Sequence, residues 1–205
     1  MTSQTSPGRT RSQGVRELDG QIRAVGDGES RSFTLSFSSE EPYTRWFGPE
    51  ILDHKDGAMD LSRLTSLGVV LFNHDRNRVL GKISRAWVED GRGQAEIEFD
   101  RDDASEEIYQ KVRSGTLKGV SVGYRVDDWE DVSEGHKSAD GRFTGPCSIA
   151  RHWTPFEVSI VSIPADPTVG VGRDMEPDAQ RDESPDLSYT ETRKRQLIYN
   201  QNLWR

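Results

Sequence analysis

Three short segments, far apart along the chain, carry the side-chain types of a hydrolytic site. The first contains His74, the second Ser121 and the third Glu157. A serine hydroxyl becomes a strong nucleophile when a neighbouring base takes its proton, and the base works best when a third group fixes its orientation. Each segment lies in or beside a run of β-forming residues, so strands could bring these groups together. The order along the chain is histidine, serine, acid.

The three residues differ in how much each indicates by itself. A histidine at a strand end, such as His74, is more often a surface or capping residue, and serines are common in strands. Ser121 nevertheless lies between Gly119 and Gly123, where small neighbours allow a peptide backbone to approach. Glu157 is more informative, because a carboxylate in an otherwise apolar strand is unfavourable unless it is paired. The alternative for Glu157 is a sheet-edge position facing water.

The serine segment also fits a second pattern, which predicts a different fold. Residues 119–123 read Gly-Val-Ser-Val-Gly and match G-x-S-x-G, the nucleophile elbow of α/β-hydrolases. An elbow needs a strand, a sharp turn and then a helix, whereas Tyr-Arg-Val at 124–126 continues the strand. That class also places its histidine last, which would require His136 or His152 as the base. An α/β-hydrolase-type esterase is therefore the weaker alternative.

Metal and nucleic-acid chemistry find little support in the composition. His54, His74, His136 and His152 show no close ligand pairing, and the single Cys147 excludes an internal disulfide and a cysteine-based metal cluster. We expect no cofactor and no metal. The net charge of −8 argues against a general nucleic-acid binder. Without an apolar stretch of transmembrane length or a signal-peptide core, the chain is expected in the cytosol, away from membranes.

The two ends of the chain differ in composition from its middle. Hydrophobic residues make up 32% of the 205 residues and charged residues 30%, a low apolar content that polar ends would explain. Such ends bury too little apolar surface to offset the entropy lost on ordering. We therefore predict a disordered N-terminal segment at residues 1–31, a folded domain at 32–171, and a polar C-terminal tail or linker at 172–205.

The middle of the chain combines several strand patterns with two helical ones. The clearest helix is predicted at about residues 104–114, with Asp103 as its cap and Gly115 at its end. A shorter helix is expected between Asp60 and Gly68. The acidic stretch 127–145 is expected to form a mobile insertion. Strands are predicted at about residues 33–37, 79–88, 95–99, 117–126 and 156–163. This series implies an α+β fold or a closed barrel covered by helices.

With these residues identified, the chain resembles the tailed-phage prohead maturation proteases, serine peptidases related in fold to the herpesvirus assemblins. The resemblance covers about residues 33–172. It rests on five blocks that occur in the family's order, at residues 45–52, 70–75, 81–83, 114–124 and 157–167. Each block is moderately specific, and their combination in this order is highly specific.

The resemblance implies a small antiparallel β-barrel flanked by helices, an assemblin-like α+β fold. It also implies a dyad of Ser121 and His74 in a serine endopeptidase. Glu157 fits best as the third residue of the site, because its strand could run beside that of Ser121. His152 competes with it, because the assemblins use a second histidine at this position, and Asp75 is a weaker competitor.

The resemblance also implies substrates and a location. The expected substrates are the major capsid protein and scaffold segments, cut inside the immature capsid (prohead) in the host cytoplasm, and the protease is expected to cut itself. The tail beyond residue 171 is either a scaffold-binding segment or a junction to a longer polyprotein. A homo-oligomer is compatible with the resemblance. The competing hypothesis is a non-catalytic capsid or scaffold protein with the same barrel.

Overall fold

The computed structural model describes residues 12–19, 22–25 and 30–163, which contain ten strands and two helices. The helices are α1 (Ser62–Leu67) and α2 (Asp103–Arg113). The first five strands are β1 (Ser12–Asp19), β2 (Arg23–Ala24), β3 (Ser32–Ser39), β4 (Tyr43–Arg45) and β5 (Gly48–Leu52). The others are β6 (Val69–Phe72), β7 (Asp75–Glu89), β8 (Arg92–Phe99), β9 (Gly119–Val132) and β10 (Cys147–Val161).

All ten strands of the described residues belong to one mixed sheet. Its main path runs β1-β9-β10-β6-β7-β8-β3-β2, and β4 joins through β5. The long strand β10 has β9 antiparallel along one edge. Along its other edge it pairs in parallel with β5 near its start and with β6 near its end. β10 therefore joins the strand of Ser121 to the hairpin of His74.

The predicted α+β fold with a small antiparallel barrel is wrong. A barrel requires its first and last strands to pair, which removes both edges. Here β1 and the two-residue β2 lie at opposite ends of the path, and β10 makes two parallel pairings. The two helices of the described region are short, so strands dominate the architecture. Alternation predicts that a segment is a strand but not which neighbour it pairs with or in which direction.

The core is formed by alternating strand residues and one face of α2. Phe33, Phe99 and Tyr109 form an edge-to-face aromatic group with ring centroids 5.6 to 6.0 Å apart. The helix begins at Asp103, one residue earlier than predicted. Its cap is Asp102, whose carboxylate accepts a hydrogen bond from the Ser105 backbone N–H at 3.0 Å. Neither helix of the described residues has the length and apolar character to cross a membrane.

Residues 12–19 form a strand where the sequence predicts disorder. β1 pairs antiparallel with β9 along its whole length, from Ser12 opposite Val126 to Asp19 opposite Gly119. Composition reports how much apolar surface a segment can bury, whereas an edge strand is held largely by backbone hydrogen bonds. The predicted tail at 172–205 and the end of the predicted domain at 164–171 lie outside the described residues.

The stretch 127–145, predicted to be a mobile insertion, continues β9 and then forms a loop that is bound to the sheet. β9 continues to Val132, and the following loop carries Asp140 and Arg142 into an ion-pair cluster. Arg151 on β10 binds Asp53 at 2.5 Å and Asp140 at 2.9 Å, while Arg142 binds Asp140 at 2.9 Å and also Asp53. Hydrogen bonds from Arg151 and other neighbours hold the pKa of Asp140 well below its usual range. Asp140 and Arg142 therefore fasten the loop to the sheet.

A buried histidine in the core gives a prediction about pH and stability. His54 is 5% exposed, and its ring nitrogens contact the Leu52 carbonyl at 2.8 Å and the Ser38 hydroxyl at 2.7 Å. Burial lowers its pKa from 6.5 to about 4. The unfolded state therefore takes up this proton first, so stability is lost as the pH falls from about 6.5 to about 4. By linkage the loss amounts to about 3 kcal/mol.

Urea unfolding of the wild type and His54→Gln between pH 7 and pH 4 measures this effect. His54→Gln is expected to lower stability at pH 7 and to show a shallower decline over this interval. The matched control is His136→Gln, because His136 is exposed and should retain the wild-type slope. Identical pH slopes for all three proteins would refute the prediction.

Candidate active site

A tight turn between β6 and β7 presents His74. Phe72 pairs with Asp75, so Asn73 and His74 are the two central residues, with φ of 50° and 60°. Positive φ at both positions is what a type I′ hairpin turn requires, and asparagine tolerates it well. The Asn73 side-chain oxygen also accepts a hydrogen bond from the Ser162 backbone N–H at 3.0 Å. This contact fastens the turn to the end of β10 and fixes the position of the imidazole.

The pairing of β9 with β10 brings the serine and the carboxylate to the same part of the sheet. Ser121 lies opposite Ser159, and Gly123 lies opposite Glu157. A Cβ atom at Gly123 would come within 2.4 Å of the Glu157 Oε1 atom. Glycine at position 123 is therefore required by space, because any larger residue would displace the carboxylate.

A continuous chain of hydrogen bonds joins Ser121, His74 and Glu157. The His74 Nε2 atom lies 2.7 Å from Ser121 Oγ, and its Nδ1 atom lies 2.7 Å from Glu157 Oε1. Ser121 is fully buried, and the side chains of His74 and Glu157 are 12% and 11% exposed. The sequence predicted these three residues as a unit, and the fold brings all three together. In so shielded a site, the histidine and the carboxylate interact more strongly than they would in water.

Ser159 is a fourth member of the cluster that the sequence reasoning missed. Its hydroxyl donates to Glu157 Oε2 at 2.8 Å and accepts from the His74 backbone N–H at 3.2 Å. Ser159 is fully buried, so both contacts are shielded from water. The available signal was its spacing, because a residue two positions from Glu157 on a strand shares its face. Ser159 orients the carboxylate and supports the histidine turn together.

The competing candidates for the third position lie elsewhere. The ring of His152 contacts the Gly57 carbonyl at 3.2 Å. Asp75 follows the turn but is exposed, and its carboxylate accepts from the Asn77 backbone N–H at 2.9 Å. Among the residues that the structure describes, no group of three histidine, cysteine or acidic side chains is placed to hold a metal ion.

The geometry permits proton transfer from the serine. With its Nδ1 proton donated to Glu157, neutral His74 presents the lone pair of Nε2 to the Ser121 hydroxyl. The carboxylate can then stabilise the imidazolium that forms when the proton moves. Ser121 lies within β9, which continues to Val132, so the strand–turn–helix of an α/β-hydrolase elbow does not occur here.

A serine, a histidine and a carboxylate in this hydrogen-bonded order are the side-chain set of the serine hydrolases. Residues 54–180 match the caudovirus prohead serine protease family, and the chain belongs to that family. This confirms the resemblance found in the sequence. All three residues of the hydrogen-bonded chain lie within the matched region.

One sequence comparison and one structural comparison add to this. Over 143 residues it is 40% identical to the major capsid protein of Halomonas phage phiHAP-1, an alignment that covers 68% of this chain and 23% of that protein. The chain therefore spans about a quarter of the length of the curated relative it matches. The fold is similar to that of the bacteriophage T4 capsid assembly protease, gp21, with a TM-score of 0.52 and 14% identity. That similarity covers 76% of this chain and all of the T4 chain.

Proposed function

We propose that this protein is a serine endopeptidase that cleaves capsid and scaffold proteins during prohead maturation. The observation that carries the proposal is the hydrogen-bonded chain of Ser121, His74 and Glu157, with both links at 2.7 Å. Membership of a prohead serine protease family supports the same reaction.

Each residue of the hydrogen-bonded cluster has a role in the proposed reaction. Ser121 Oγ attacks the carbonyl carbon of the scissile peptide bond while His74 Nε2 takes its proton. His74 then gives the proton to the leaving amine, so that the peptide bond breaks and an acyl-enzyme ester remains. Water activated by His74 hydrolyses the ester and regenerates the serine. Glu157 holds the imidazole in the reactive tautomer throughout, and Ser159 holds Glu157.

The proposed substrates follow from the relatives. The Halomonas phage protein is named as a major capsid protein, and it is about four times as long as the aligned region. This supports a protease that acts on capsid polypeptide. The protease would be either joined to that polypeptide or packaged beside it. Self-cleavage in the polar ends of the chain belongs to the same proposal, since extended polar segments can enter a peptide-binding groove. The reaction would take place inside the prohead, in the host cytoplasm.

Co-expression with the capsid protein from the same phage, followed by intact-mass analysis, tests this function. The expected result is a capsid product shortened at a defined peptide bond. The competing reading is a non-catalytic capsid component, which the relative's name favours and the assembled hydrogen-bonded chain opposes. Capsid protein of unchanged mass, in the presence of folded wild-type protein, would support that competitor.

Replacing Glu157 by Gln tests the role of the carboxylate. Glutamine keeps the shape but removes the charge that stabilises the imidazolium, and its amide can hold the histidine in the wrong tautomer. We expect the fold to persist and the cleavage rate to fall by about 10² to 10⁴-fold. The matched control is His152→Ala, which should process capsid protein at nearly the wild-type rate because His152 lies outside the cluster. Near-wild-type cleavage by Glu157→Gln would remove Glu157 from the mechanism.

A further inference from the structure

Strand β1 lies directly beside the serine of the candidate site. It occupies the edge of β9 opposite to β10, with Arg16 paired to Val122 and Glu17 paired to Ser121. The Ser121 hydroxyl donates to the Arg16 carbonyl oxygen at 3.1 Å. The peptide bond between Arg16 and Glu17 is therefore the one that lies at the nucleophile.

This contact competes with the one that would activate the serine. A hydroxyl group has one hydrogen to donate. When Ser121 donates it to the Arg16 carbonyl, it cannot donate to His74 Nε2 as well, although both acceptors lie within hydrogen-bonding distance. With β1 seated, the nucleophile is fully buried and its proton is shared between two acceptors. A protein in this state is closed to a second peptide.

The side chain of Arg16 enters a closed pocket on the core side of β9. Arg16 is 1% exposed; its Nη2 atom donates to the Glu41 carbonyl oxygen, and its guanidinium lies 5.6 Å from the centre of the Tyr43 ring. The Glu50 carboxylate attracts the Arg16 guanidinium, while the Arg45 guanidinium, which binds Glu50, repels it. The depth of burial, the bond to the Glu41 carbonyl and the contact with the Tyr43 ring define a subsite for a long side chain that ends in a guanidinium.

Two further contacts fix the backbone on the N-terminal side of Arg16. The Arg45 guanidinium donates to the Val15 carbonyl oxygen at 2.7 Å and also binds Glu50 at 3.1 Å. Gly14 lies against the Tyr124 ring, and a Cβ atom there would come within 2.7 Å of a ring carbon. The edge therefore accepts glycine two residues before arginine. In the whole chain this Gly-x-Arg spacing recurs only at residues 123–125, inside β9 itself.

β1 is also an imperfect occupant. The Nε and Nη1 atoms of Arg16 are buried without hydrogen-bond partners among the described residues. A buried donor left unsatisfied is destabilising. Burial accordingly lowers the pKa of the Arg16 guanidinium, against the attraction of Tyr124 and Glu50. Backbone pairing and the fit of Gly14 therefore hold β1 in place, because the arginine side chain is only partly satisfied in its pocket.

We propose that the edge of β9 is the peptide-binding site of this protein, that it takes extended segments with glycine and arginine in the spacing Gly-x-Arg, and that β1 occupies it as a tethered ligand. The inference rests on the proposed function. When β1 is cleaved, Ser121 Oγ bonds to the Arg16 carbonyl carbon, and the bond from that carbon to the Glu17 nitrogen breaks. The Glu17 nitrogen takes the serine proton by way of His74. Water then releases residues 1–16 from the ester.

Peptide binding to non-cleaving full-length chains tests the proposal without requiring activity. The probe is a fluorescently labelled peptide with the sequence of residues 12–19, measured by fluorescence polarisation against Ser121→Ala. Adding Gly14→Val to the protein drives its own β1 off the edge by collision with the Tyr124 ring. The probe is then expected to bind at least about tenfold more tightly, because the site is no longer occupied in most molecules. If Gly14→Val does not fold, Arg16→Glu is a second displacing variant, because its carboxylate would be repelled by that of Glu50.

The controls distinguish binding of the probe at the edge of β9 from unspecific binding. Gln13→Val in the protein alters an exposed residue of β1 and should leave the probe affinity at its Ser121→Ala value. A probe carrying Gly14→Val should bind neither protein. Equal probe affinity for the Gly14→Val and Gln13→Val proteins, or equal binding of both probes, would overturn the proposal. Because Ser121 is absent throughout, a failure of capsid processing by the wild type would contradict the proposed function and leave this binding result unaffected.

Discussion

Ser121→Ala is expected to abolish processing of the capsid protein while leaving the fold intact. The serine oxygen is the only atom of the hydrogen-bonded chain placed to bond to a substrate carbon, and the alanine methyl group cannot replace it. We expect the rate to fall by at least about 10³-fold, with whatever remains arising from binding alone. Intact-mass analysis of co-expressed capsid protein measures the loss.

Ser84→Ala is the matched control for this change. Ser84 lies exposed on β7, so the same loss of one hydroxyl should leave processing unchanged. Mass analysis of the protease itself adds a second readout, since the wild type should lose residues from its ends and Ser121→Ala should stay intact. Capsid processing at the wild-type rate by Ser121→Ala would exclude Ser121 as the nucleophile. Equal trimming of both proteins would assign the trimming to host proteases.

His74→Ala is expected to be about as damaging as the loss of the serine. Without the imidazole, the Ser121 hydroxyl has no base within reach among the residues that the structure describes, and Glu157 is left as a nearly buried carboxylate without its cation-forming partner. Residues that act as one unit show non-additive losses. The double variant Ser121→Ala, His74→Ala should therefore be no slower than either single variant.

His136→Ala serves as the matched control, because His136 is exposed and its ring contacts the Glu134 carbonyl in a loop away from the cluster. It should retain the wild-type rate. Activity of His74→Ala within a few-fold of the wild type would rule out His74 as the base. A double variant much slower than both single variants would show that the two residues do not act together.

The members of the site could be predicted from short segments of sequence taken together. Ser121 lies between Gly119 and Gly123, and the structure shows that Gly123 makes room for the carboxylate of Glu157. Glu157 stood out as a charge in an apolar strand, and it is paired as that argument required. These are properties of short segments, which a sequence records directly. The family followed from several such segments in a fixed order.

What could not be predicted depends on pairing between distant segments. The parallel pairing of β10 with β5 and β6 leaves no local pattern, so a mixed open sheet could not be distinguished from an antiparallel barrel. Composition cannot predict β1 because it does not report backbone pairing. It predicts a mobile loop after β9 because Arg151, which helps to hold that loop, lies outside it. Ser159 was missed because its importance comes from two partners on different elements.

The central position of β10 also has a consequence for synthesis on the ribosome. β10 is the last described strand to be made, and it joins β9 to β6, so Ser121 and His74 lack their connecting strand until the chain has been made to Val161. Contacts between segments so distant in sequence form late in folding. A nascent chain that still lacks β10 therefore has no assembled site. Under the proposed function, a chain still being synthesised would therefore be unable to cleave its neighbours until β10 has paired.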